Sequence, residues 1–91
     1  MRPADSDPIG ARLERVVALA RAAGFAHAAD ALEERLNCAY TTSSEYLGEI
    51  GLAVRRFDKS VDRRRLPDEA QRLLSECRAE LGIGLRGFFG R

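Results

Sequence analysis

Apolar residues recur every three or four positions in four separate stretches of this chain, and no stretch alternates with the period of two that a strand requires. The first stretch opens at Asp7-Pro8, where Asp7 is placed to cap and Pro8 loses nothing by lacking an N–H. Ile9, Leu13, Val16, Val17, Ala20 and Ala23 then fall on one side of a helix, and Gly24 is a natural terminator. A second stripe follows in Phe25, Ala28, Ala29, Leu32 and Leu36, opposed by a wet face of Asp30, Glu33, Glu34 and Arg35. The two stripes nearly stay in phase, so a continuous helix weakened at Gly24 is the alternative to a break there.

Residues 37–44 are polar and turn-like, and Thr42-Ser43-Ser44-Glu45 spells a capping box that opens the third and longest helix. Tyr46, Leu47, Ile50, Val54, Phe57 and Val61 carry its apolar side to about Asp62. Gly48 and Gly51 each cost a helix about 1 kcal/mol relative to Ala, which points to a neighbouring helix passing close by. Arg63–Leu66 forms a basic connector. Pro67, Asp68 and Glu69 suit a helix start, and Leu66, Ala70, Leu73, Leu74, Cys77 and Leu81 form the fourth stripe before Gly82. Helices that are apolar on one side only must bury that side against each other. The expected fold is therefore all-α, a small antiparallel bundle of three or four helices in up-down order. The 91 residues make one helical domain, with 1–6 expected to lack order and 83–91 forming an aromatic tail.

Composition narrows the setting. A chain of this length buries roughly 60–65% of the surface its unfolded form exposes, enough for its own core with little margin. The least polar stretch, Val16–Leu32, is interrupted by Arg21, His27 and Asp30, so no membrane span is expected. The polar start Met-Arg-Pro-Ala-Asp-Ser-Asp lacks the apolar core of a secretion signal. Cys38 and Cys77 lie far apart and read as two reduced, half-buried thiols, so the expected location is the cytoplasm.

The formal net charge of +1 offers no strong field to nucleic acid. Its distribution is uneven: residues 1–50 carry five Arg against eight acids, and residues 51–91 carry nine Arg and one Lys against six. Arg55, Arg56, Lys59, Arg63, Arg64 and Arg65 concentrate this basic charge. Asp58 and Asp62 are interleaved at spacings that allow ion pairs with Arg55, Lys59 and Arg65, so the cluster reads first as a salt-linked helix end and second as a nucleic-acid contact.

Catalytic chemistry has little foothold. His27 is the one histidine, and there is no nucleophile elbow, phosphate loop, HExxH or CxxC. A zinc site from Cys38, Cys77 and His27 would lack the closely spaced ligand pair such sites carry. No cofactor is implied. Residues 19–25 resemble the first helix and turn of a helix-turn-helix, yet Asp30 and Glu33 stand where its second helix needs apolar residues. The hydroxyls of Thr41–Ser44 suit capping, with phosphate binding as a lesser alternative. A small-molecule pocket near Tyr40, Tyr46, Gly48 and Gly51 is a further possibility.

Ile83, Leu85, Phe88 and Phe89 punctuate a Gly-spaced tail. Burying each is worth about 1.5–3 kcal/mol, so the segment is expected to fold back on the bundle or to dock elsewhere. The leading expectation is a non-enzymatic protein-interaction module, a homodimer being one form of it, with Leu85, Phe88 and Phe89 as contacts. The alternative is a nucleic-acid-associated module using residues 55–65.

Overall fold

The computed structural model describes residues 8–82. Asp7, the first six residues and the tail with Leu85, Phe88 and Phe89 lie outside them. Four α-helices make up the described chain: α1 (Pro8–Ala22), α2 (Ala26–Leu36), α3 (Ser43–Ser60) and α4 (Asp68–Leu81), with a single 3-10 turn over Arg63–Arg65. No strand occurs among the described residues. The chain is an all-α bundle, as its hydrophobic periodicity predicts.

Local chemistry sets the ends. Gly24 breaks the first helical stretch at φ +98°, and the Phe25 N–H donates to the Ala20 carbonyl across that turn. This six-to-one bond satisfies a carbonyl the ending helix would otherwise leave open. The Thr42 hydroxyl accepts from the Glu45 N–H at 3.0 Å, while the Glu45 carboxylate reaches back to the Thr41 N–H at 2.9 Å. Helix α3 stops at Ser60 and not at Asp62, because Val61 turns to extended backbone and Asp62 caps the 3-10 turn through the Arg64 N–H. Gly82 closes α4 in the left-handed region at φ +73°.

The helices join in a ring: α1 packs on α2 and α4, and α3 packs on the same two. Ion pairs give the directions. Arg12 meets Glu76 and Glu80 while Arg15 meets Glu69, so α1 and α4 run antiparallel. Arg35 approaches Glu49, whereas Ala28 lies across from Phe57 and Ser60, so α2 and α3 are antiparallel too. The α3–α4 contact is the slighter one of the ring, and the Asp58–Arg78 ion pair joins the last turn of α3 to the last turn of α4.

Inside the ring, Leu13, Leu32, Leu36, Ile50, Val54 and Leu74 are fully buried. Most predicted stripe residues are in this core. Leu47 is not: it is 43% exposed, and Ala53 takes a buried place on α3 instead. Cys77 is fully buried, more than its half-buried expectation, and Cys38 is half-buried; both are free thiols.

Candidate functional site

The basic cluster does not form one surface. Arg55, Arg56 and Lys59 are exposed on α3, and Arg56 lines a groove against α2. Arg63 instead turns toward α4, with a guanidinium nitrogen 3.5 Å from the Ser75 hydroxyl. Arg64 is exposed, 3.7 Å from Asp62. Arg65 stacks over the Phe25 ring at 5.7 Å, a cation–π contact that ties the connector to the α1–α2 turn. Asp58 is committed to Arg78 at 3.0 Å, across to α4 and not along α3.

Two other regions carry shape. Between α2 and α3, Ala28, Leu32, Ala53 and Phe57 floor a groove rimmed by Glu34, Arg35, Arg56 and Ser60, with a volume near 160 Å³. That is about the size of a cavity that holds one benzene ring. It lies away from the Tyr40–Gly51 neighbourhood that the sequence singled out. There, Tyr40 and Tyr46 pack edge to face with centroids 5.4 Å apart, and the Tyr40 hydroxyl donates to the Arg35 carbonyl at 2.8 Å. Desolvation among these groups raises the Tyr40 pKa.

The second region is the outer side of α3. Leu47 and Leu52 are 43% and 45% exposed, the exposed large apolar side chains of the described chain. Between them sits Gly48, and a Cβ built there would meet nothing within 4 Å. The neighbouring helix expected at Gly48 is therefore absent among the described residues; this glycine belongs to an open face. Helical periodicity places Ser44, Gly48, Gly51 and Arg55 along one line, with Leu47 and Leu52 on its two flanks. The charge along α3 is graded. Glu45 and Glu49 stand in its first half, and Arg55, Arg56 and Lys59 in its second.

The residues weighed for chemistry remain scattered. His27 is exposed on the outer side of α2, beside Asp30 and Glu33. Among the described residues, no three His, Cys, Asp or Glu side chains gather as metal ligands. Burial pushes the Cys77 thiol up to about 11. No described helix is long and apolar enough to cross a membrane. The chain matches no protein-family model, no curated protein and no solved structure.

The α3 surface was only partly visible in the sequence. Leu47 reads as core by its spacing, and Leu52 fits no stripe. The usable signal was Leu52 itself, a large apolar residue out of phase with the buried stripe.

Proposed function

We propose that this chain is a non-enzymatic helical protein-interaction module that works through the outer side of α3. Leu47 and Leu52 carry this reading: two large apolar side chains stand open on one helix of a domain whose other helices bury theirs. The tail residues Leu85, Phe88 and Phe89 supply a separate contact, independent of the α3 surface, in the same reading. Two reduced thiols, Cys38 and Cys77, suit a cytoplasmic setting.

A photo-crosslinking residue in place of Leu52, introduced into the full chain in its native host, tests the proposal. The same residue in place of Arg72 on α4 is the control. Discrete protein adducts at 52 and none at 72 are expected. Equal labelling at both positions, or none at 52, overturns it. A nucleic-acid role through Arg55–Arg65 predicts instead that adducts contain nucleic acid. Binding would then fall steeply with salt and vanish when Arg64 and Arg65 become Gln.

A further inference from the structure

We infer that the occupant of the α3 surface is a second copy of this chain, bound with its own α3 antiparallel to the first. The inference rests on the interaction-module reading and names the partner. Three observations on one helix carry it. Leu47 and Leu52 are exposed and flank the line through Gly48 and Gly51. At Gly48 the space is open, so another backbone has room to come close. The third is the charge gradient, acidic at Glu45 and Glu49 and basic at Arg55, Arg56 and Lys59, with Asp58 of the basic half taken up by Arg78 and Glu49 also 3.9 Å from Arg35 of its own chain.

That gradient chooses the partner. A two-fold interface puts the same patch on both subunits, so the patch must complement itself. An acidic-to-basic helix does so only when its copy runs the opposite way. Centring the two-fold axis between Gly48 and Gly51 sets each Gly48 against the Gly51 of the second copy. It also brings Glu45 near the opposing Arg56, and does so twice. The leucines on each flank then cover the glycine line, and each meets its own counterpart. A parallel pairing would align acid with acid and base with base. Opposite charges fix register and exclude wrong partners more than they add affinity, so the leucines supply the attraction and the charges supply the orientation.

Sedimentation of the full chain over a range up to about 100 μM, a span that captures micromolar association, is the first measurement. A concentration-dependent dimer is expected. Leu52→Asp should weaken it by roughly tenfold or more, the scale of a central interface contact. Phe88→Ala with Phe89→Ala should leave it unchanged. Leu52 is exposed in the single chain, so circular dichroism of L52D should show full helicity. Spin labels at 44 and 59, one position at a time and with Leu52 intact, then read the direction. Antiparallel pairing makes the label-to-label distance longer at 59, where the 1.5 Å rise per residue separates the two labels by roughly 28 Å, than at 44, where it separates them by roughly 16 Å. A monomer throughout the range, a dimer broken by the tail substitutions and not by L52D, or equal distances at the two positions would overturn the inference. A monomer whose position 52 still cross-links to other proteins sinks this inference and leaves the interaction-module reading standing. A monomer that cross-links to nothing sinks both.

Discussion

Helices α1 and α3 bury similar stripes and treat their other sides differently. On α1, basic residues at the edge of the buried stripe reach across to neighbouring helices: Arg12 to Glu76 and Glu80, Arg15 to Glu69 through two hydrogen bonds, Arg21 to Asp30 and Glu33. Its seams are closed by groups of this chain. On α3, Leu47, Gly48 and Leu52 stand open, and the ion pair the helix makes near its end, Asp58 to Arg78, lies on the side toward α4. Both helices thus hold the fold, α3 through its buried stripe and through Glu49 to Arg35 and Asp58 to Arg78, and α3 also leaves an apolar side open. Solvent screening leaves exposed ion pairs of the α1 kind with little net stability, so they set the register of packing more than they hold it.

The widest gap between the two sides should appear in the core. Leu13→Ala in α1 removes a fully buried side chain and should cost about 2–5 kcal/mol in urea unfolding. Leu52→Ala should change the stability of the single chain by no more than about 0.5 kcal/mol. Comparable losses at both positions would erase the contrast. Next comes Asp58→Asn. The side chains of Asp58 and Arg78 are 18% and 26% exposed, so the pair is the most sheltered of the ion pairs described here, and its loss should cost about 1–3 kcal/mol. Arg15→Gln, at an exposed and solvent-screened pair, should cost less.

Two glycines sharpen the contrast by sign. Gly24→Ala forces a side chain onto φ +98° and should destabilise by about 1 kcal/mol. Gly48→Ala fills open space in a helix and should stabilise the dilute chain by roughly 0.5–1 kcal/mol. Thermal melts at low protein concentration separate the two. The smallest effect is a pH dependence. The hydrogen bonds from Arg15 hold the Glu69 carboxyl below its usual range. A carboxyl depressed on folding contributes stability at neutral pH, and that contribution fades as pH falls through its folded pKa. Glu69→Gln should therefore flatten slightly the acid limb of a stability-against-pH curve below about pH 4.5 and leave the alkaline limb alone.

Much of this architecture was legible in the sequence, because helix signals act over three or four residues. The Thr42–Glu45 capping box, the Gly24 break and the Gly82 stop follow from local chemistry, and each stands where the pattern puts it. What failed depended on distant neighbours. Gly48 reads equally as a place where another helix comes close and as a place where nothing stands; spacing alone does not distinguish the two. Asp58 has basic residues within one helical turn, yet the packing of α4 against the end of α3 offers it Arg78. Arg63 and Arg65 look like partners of Arg64 in sequence, and the 3-10 turn sends them to Ser75 and Phe25. The α3 surface is a product of tertiary geometry, and only its out-of-phase leucine left a trace in the pattern.

The thiol of Cys77 lies at the seam where the end of α4 covers the start of α1, with its sulfur 3.9 Å from the Ile9 carbonyl. Its high pKa and complete burial make it nearly inert to alkylating agents while that seam is shut. Each modification event therefore records an opening of the α1–α4 seam, and the half-buried Cys38 on the same molecule calibrates the reagent. The chain thus carries an internal clock for its own breathing, readable by mass spectrometry without any introduced label.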